Sequence, residues 1–307
     1  MNPYSYLRRE SRFSVHLKKE TSHWHHYLVS FPTAHPSQYK ENNTAWGEYF
    51  IPASDGRFPL VILLHGMGDK TVVPCRVLAR YLAKRGIASF VLYLPFHSKR
   101  TPETMRGKIL PLSAATYLEV FQISVVEVRQ IIDWAEGEKK LDDKRIAIIG
   151  VSLGGFASAI AMGLDKRIMA GVFLVTGGNL EEMTWNSRSS ALRKAHNCTR
   201  AECHCTYSLY HQYLDDIAQK GFENVTPAEK CFLFDPITFA SFLRGRPMLM
   251  INALWDSIIP RRSTLDFWEA SGRPQISWYP STHITIYLWF PFIFRKITNF
   301  ITLTFSK

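Results

Sequence analysis

Residues 145–156, Arg145-Ile-Ala-Ile-Ile-Gly-Val-Ser-Leu-Gly-Gly-Phe156, place Ser152 at the centre of a G-x-S-x-G pentapeptide. A β-branched run (Ile146, Ile148, Ile149) leads into it, and Leu153 to Met162, with Gly155, Ala157, Ala159 and Ala161, leads away. The first segment reads as a buried strand, the second as a helix whose small residues permit close approach to a sheet. A serine at that junction sits on a sharp strand-to-helix turn that lifts its hydroxyl above the sheet. Gly150 and Gly154 remove the Cβ atoms that would collide there. A plain packing turn with an incidental serine satisfies the pentapeptide equally well, so the flanking residues carry the reading.

The strand and helix pattern extends in both directions. Upstream, Pro59-Leu-Val-Ile-Leu-Leu64 reads as a central buried strand running into His65-Gly66-Met67-Gly68. A helix starts near Pro74, with Val77, Leu78, Tyr81 and Leu82 on its apolar face, and stops at Gly86. Residues 87–94 form the next strand, and residues 117–134 a long amphipathic helix with Leu118, Phe121, Val125, Val128 and Ile132 three or four apart. Downstream, residues 170–176 and 247–253 read as strands, with a weaker one at 275–279.

This order predicts an α/β fold with a doubly wound, mostly parallel sheet and right-handed crossovers. Residues 58–177 and 247–307 supply the core. Residues 1–57, aromatic and His-rich, form an N-terminal extension with edge strands at 27–31 and 46–51. The insertion at 178–246 is too long for a bare loop and is expected to form a largely helical cap over the carboxyl ends of the strands.

Composition narrows the function classes. The chain has 307 residues, 46% hydrophobic and 21% charged, which describes a soluble globular protein with a sizeable core. Its net charge of +11 favours anionic ligands at long range. Arg8, Arg9, Arg12, Lys18 and Lys19 cluster near the start, but basic and aromatic residues do not interleave along one element, so no nucleic-acid partner is expected. The first residues contain no apolar signal region, and the five cysteines are an odd number; both point to a reducing, cytoplasmic setting. The apolar stretch 284–294 is too short to span a bilayer, contains Pro291 and ends at Arg295 and Lys296. It reads as a terminal helix packed on the sheet, with peripheral membrane contact as the less favoured alternative.

A serine hydroxyl needs a base within hydrogen-bonding reach and an acid to orient that base. Asp256 follows the strand 248–253, and His283 follows the last strand, so both fall at the carboxyl edge of the sheet beside Ser152. Asp69 is a rival carboxylate that comes earlier in the chain, and His65 is suited to shaping its loop. A second cluster, His196, Cys198, Cys203, His204 and Cys205, with Cys231 further on, carries metal-ligating groups, but its spacing matches none of the paired C-x-x-C frameworks. No metal and no cofactor is expected.

Through His65-Gly66-Met67-Gly68, Gly150-Val-Ser-Leu-Gly-Gly155, Asp256 before Pro260, and His283, the chain resembles the α/β-hydrolase superfamily. The nearest resemblance is to the dienelactone-hydrolase and prolyl-oligopeptidase-like serine esterase branch. It covers the chain from about Pro59 to the C-terminal helix. The resemblance implies Ser152 as nucleophile, His283 as general base and acid, Asp256 as the orienting carboxylate, and the backbone N–H groups of Leu153 and Met67 as oxyanion hole. A cysteine is the nucleophile in dienelactone hydrolase itself, so Ser152 moves the expectation toward esterases. A small-molecule carboxylic ester cleaved through an acyl-enzyme is the expected reaction. Acyl transfer by the same triad and a catalytically silent binding protein of the same fold are the alternatives.

Overall fold

The computed structural model describes residues 2–8, 12–106, 113–195 and 198–306. The chain opens with three strands, β1 (Ser14–Glu20), β2 (Trp24–Pro32) and β3 (Thr44–Pro52), followed by β4 (Phe58–Leu64) and helix α1 (Val72–Ala83). Strand β5 (Ala88–Tyr93), helix α2 (Ala114–Gly137), strand β6 (Leu141–Val151), helix α3 (Leu153–Leu164) and strand β7 (Ile168–Leu174) come next. The insertion contains α4 (Leu180–Asn186), α5 (Ser190–Ala195), α6 (Arg200–Lys220) and α7 (Pro236–Ala240). The chain closes with β8 (Met248–Ala253), α8 (Arg261–Ala270), β9 (Gln275–Tyr279) and α9 (Phe290–Phe305).

The nine strands of the described residues share one sheet in the order β1-β2-β3-β5-β4-β6-β7-β8-β9. From β5 to β9 the neighbours run parallel, while β1, β2, β3 and β5 pair antiparallel. The expected strands at 27–31 and 46–51 are therefore the inner parts of β2 and β3, which continue the same sheet. Strand β4 is central and fully buried, which explains its unbroken apolar run. Its Pro59, which has no N–H to donate, sits where the register with β6 shifts.

Period-two alternation along the central strands separates the two layers. Leu60, Ile62, Leu64, Ile146 and Ile148 face a core built with α2, α3 and α8. Val61, Leu63, Ala147 and Ile149 face the other side, where α1 and α9 pack. On α1 the buried stripe is Val72, Cys75, Leu78, Ala79 and Leu82. Val77, expected on that stripe, is 46% exposed because the side facing the sheet is set by the spacing from Val72 and Cys75. Tyr81 is half-buried and meets Phe294 of α9.

Helix α2 starts at Ser113, whose hydroxyl accepts from the Thr116 N–H. Leu118, Phe121, Val125, Val128 and Ile132 are all buried, as their spacing predicts. The terminal helix buries Ile293, Ile297 and Ile301 against the sheet. Among the described residues no helix is long and apolar enough to cross a membrane.

Among the described residues, one ion pair lies wholly inside the protein. The Arg100 guanidinium donates twice to Glu127 of α2, both at 2.7 Å, and also to the carbonyls of Tyr93 and Asn42 at 2.8 and 2.9 Å. Both side chains have no exposed surface. The segment after β5 is thereby fixed to α2 and to the entry of β3. Removing one member leaves the other buried without its counter-charge, so Glu127→Gln is expected to cost about 3–5 kcal/mol. Urea unfolding should show the midpoint falling at unchanged slope. An unmoved midpoint would mean that the pair contributes nothing net.

Candidate active site

The turn between β6 and α3 places Ser152 at φ 51°, ψ −117°, a conformation a non-glycine residue adopts only where its surroundings impose it. Its N–H donates to the Leu174 carbonyl of β7 at 2.9 Å, which anchors the turn to the neighbouring strand. Two glycines make the turn possible. A Cβ on Gly154 would lie 2.4 Å from the Leu64 carbonyl oxygen of β4, and one on Gly150 would lie 2.2 Å from the Gly154 carbonyl oxygen. Both contacts are with backbone and cannot be relieved by a rotamer change.

The structure brings Ser152, His283 and Asp256 together. His283 Nε2 lies 3.0 Å from Ser152 Oγ, and His283 Nδ1 lies 2.8 Å from Asp256 Oδ2. With Nδ1–H donating to the carboxylate, Nε2 is left to accept from the serine hydroxyl. The other carboxylate oxygen, Asp256 Oδ1, accepts from the N–H groups of Ile258 and Ile259 at 2.9 and 2.8 Å. Asp256 and His283 are both shielded, with side-chain exposures of 7% and 14%.

The loops that carry them are joined by backbone bonds. Leu254 N–H donates to Tyr279 C=O at 2.9 Å, and Trp255 N–H to Ser281 C=O at 3.0 Å. On either side of His283, Thr282 N–H donates to Thr285 Oγ1 and Thr285 N–H to Thr282 Oγ1, which fixes the start of the short helical turn 285–289. The insertion is tied to the same place: Arg188 N–H donates to Ser257 C=O at 2.8 Å and Ser187 Oγ to Ile258 C=O at 2.7 Å.

Ser152 and His283 open into a cavity of about 820 Å³. Its wall is mostly apolar. Tyr117 and Phe121 come from the first turns of α2, Leu180 and Met183 from α4, and Phe234 from the segment before α7. The rings of Phe121 and Phe234 stack with centroids 5.5 Å apart. The sequence reading did not single out these five residues as lining a pocket. The signal available was the aromatic pair Tyr117 and Phe121 four apart on one helical face, which reads as ordinary core. Gly66, Met67 and Leu153 line the cavity beside Ser152.

Other sequence candidates fall elsewhere. His65 is fully buried, and desolvation followed by the neighbouring His97 lowers its pKa to about 3, which keeps the ring neutral. The side chain of Asp69 lies outside the described residues, as do His196 and Arg9. Arg8 pairs with Glu136 and Asp133 of α2. In the cysteine cluster, Cys198 and Cys203 are half-buried, Cys205 is exposed, and His204 Nδ1 meets Glu181 at 2.8 Å. Among the described residues, no three metal-ligating side chains converge.

The model of the family described as alpha/beta hydrolase domain containing 18 matches residues 17–183, a stretch that includes the 65–68 loop and the Ser152 turn. A Bacillus subtilis (strain 168) protein named "Putative esterase YitV" is 23% identical over 218 residues, which cover 69% of this chain and 73% of that protein. The structure of acetyl xylan esterase from Paenibacillus sp. R4 superposes with a TM-score of 0.67 at 17% identity, covering 96% of this chain and 89% of the other. A cold-adapted esterase from an Arctic intertidal metagenomic library gives 0.61 at 16% identity, covering 92% and 96%. These structural likenesses establish the architecture as the α/β-hydrolase fold. Because the family match spans more than half of the 307 residues, the protein belongs to the alpha/beta hydrolase domain containing 18 family.

Proposed function

We propose that the protein is a serine hydrolase that cleaves carboxylic esters with an apolar acyl group. The observation that carries this is the hydrogen-bonded chain from Ser152 Oγ through His283 to Asp256, at 3.0 and 2.8 Å, opening onto an apolar cavity. A chain of that kind has the parts that acyl transfer requires. Similarity to a protein named as an esterase supports the reaction class.

In this mechanism Ser152 Oγ attacks the ester carbonyl carbon while its proton passes to His283 Nε2. The carbonyl π electrons move onto oxygen, and the backbone N–H groups of Leu153 and Met67 receive that charge. Collapse breaks the bond to the alcohol oxygen, which takes the proton from His283. Water then repeats the sequence on the acyl-enzyme, releasing the acid and restoring Ser152. Asp256 holds the ring in the Nδ1–H tautomer and balances the imidazolium that forms transiently.

The insertion 178–246 acts as the cap in this reading. Leu180, Met183 and Phe234 are its contribution to the cavity wall, so it selects the acyl portion. Cytoplasmic residence remains part of the proposal, resting on the cysteine usage.

Ser152→Ala is expected to lower kcat on p-nitrophenyl esters by about 10⁴-fold or more and to abolish labelling by a fluorophosphonate. Wild-type turnover in that variant would remove Ser152 as nucleophile. Across p-nitrophenyl esters from acetate to octanoate, kcat/KM should rise with each added methylene by up to about fourfold, the equivalent of about 0.8 kcal/mol of apolar burial. A flat series would reassign the cavity to another part of the substrate.

A further inference from the structure

The loop 65–71 joins β4 to α1, and the orientation of one peptide plane in it decides where the Met67 N–H points. His65 Nε2 accepts from the Leu94 N–H at 3.0 Å, so the ring proton is on Nδ1. That Nδ1–H donates to the Gly66 carbonyl oxygen at 2.6 Å, with Thr71 Oγ1 at 3.1 Å. The Thr71 hydroxyl reaches the same Gly66 oxygen at 2.7 Å and the Gly68 oxygen at 2.5 Å. Thr71 N–H also donates to the Gly68 carbonyl, at 3.0 Å, closing the turn at Gly68, whose φ is +94°.

A trans peptide is planar, so the carbonyl of Gly66 and the N–H of Met67 belong to one rigid unit and point in opposite directions. Every described peptide bond is trans. Two donors, His65 Nδ1–H and Thr71 Oγ–H, the latter shared with the Gly68 oxygen, fix the direction of the Gly66 carbonyl. The Met67 N–H is thereby turned the other way, and no described residue accepts a hydrogen bond from it. Gly66 itself is close to the nucleophile: a Cβ there would sit 3.5 Å from Ser152 Cβ and 3.7 Å from Thr71 Cγ2.

We infer that Thr71 is a positioning residue for the oxyanion site, its hydroxyl fixing the Gly66–Met67 peptide so that the Met67 N–H faces the developing negative charge. The inference rests on the serine-hydrolase reading above. It assigns Thr71 no contact with the reacting atoms. The loop has two glycines to leave free, Gly66 and Gly68, and Thr71 touches the carbonyl of each. A mobile Gly66–Met67 peptide would still admit substrate, because the walls contributed by α2 and the insertion stay in place. It would lose the donor when charge develops, which is a transition-state effect.

The test compares Thr71→Val, which keeps the shape and loses the hydroxyl, with Thr71→Ser, which restores it, on a p-nitrophenyl ester, with Ser152→Ala in parallel. Thr71→Val is expected to lower kcat about 10- to 100-fold, less than the 10²–10³ that follows outright deletion of an oxyanion donor. KM should stay within about twofold. Binding of a trifluoromethyl ketone, which adds Ser152 Oγ to its carbonyl and places the oxyanion in the same site, should weaken by a similar factor. Thr71→Ser should return kcat to within about threefold of wild type, and thermal melting should show all three variants folded.

Unchanged kcat in Thr71→Val would overturn the inference, as would a loss carried by KM alone or a Thr71→Ser variant as impaired as the valine. A Thr71→Val variant that melts early is judged through Thr71→Ser and the ketone affinity of the folded fraction. Retained turnover in Ser152→Ala would instead sink the underlying reading, so the two failures are separable.

Discussion

The contact on which the site depends is the approach of helix α3 to strand β4 through Gly154. A Cβ at that position would stand 2.4 Å from the Leu64 carbonyl oxygen and 2.5 Å from that of His65. Because nothing intervenes, the start of α3 lies directly against the end of β4. The Ser152 turn and the 65–71 loop therefore occupy one small volume. The Leu153 and Met67 N–H groups come from opposite sides of this contact, so their separation is set by backbone packing rather than by a flexible side chain. Gly150 serves the same contact from the strand side. Strain at Ser152 is held in place by the fit of two central strands, β4 buried throughout and β6 buried over residues 146–151.

Asp256 and His283 are positioned differently. They stand on loops after β8 and β9, at the thin end of the sheet, where β9 is only partly buried. Their geometry depends on the two backbone bonds between the loops and on the bonds from Arg188 and Ser187 of the insertion. The insertion thus supports the acid loop as well as walling the cavity. The turn between α4 and α5 is bonded directly to the two residues that follow Asp256, Ser257 and Ile258. These bonds join the insertion, which walls the cavity, to the carboxylate that His283 meets.

Much of this was legible in the sequence because two rules were at work together. Strands β4, β5 and β7 and residues 146–151 of β6 are buried on both faces, so they are apolar runs, and the helices between them carry three-four spacing. The Gly-Val-Ser-Leu-Gly turn, Asp256 and His283 could be located because each follows such a strand. Strand β1 left no comparable trace: all seven of its residues are exposed, so no burial demand shapes its composition. Val77 was misplaced because a helix with apolar residues around more than one face does not reveal which face the sheet will cover. The cavity wall was illegible for a different reason. Phe121 and Phe234 are 113 positions apart, and their stacking depends on how the insertion folds back over α2.

How the insertion folds back is governed by a buried polar centre. Asp235 has no exposed surface, and its carboxylate accepts from the N–H groups of Asn179, Leu180 and Ile237 and from the Tyr207 hydroxyl, at 2.5 to 3.0 Å. Those donors lie at the start of α4, on α6 and at the start of α7, so one side chain sets the relation of three helices. Two of them begin at this side chain, whose oxygens accept from N–H groups that a helix start leaves without intrahelical partners. Aromatic packing around Phe232 from Tyr207, Tyr210 and Tyr213 fills the space beside it. The core specifies itself through apolar alternation, whereas the insertion specifies itself through a directional acceptor. A directional acceptor tolerates only one arrangement of its donors, and that places Leu180, the residue whose N–H it binds, in the cavity wall. The apolar wall of the cavity is therefore fixed, one bond away, by a buried side chain that does not line it.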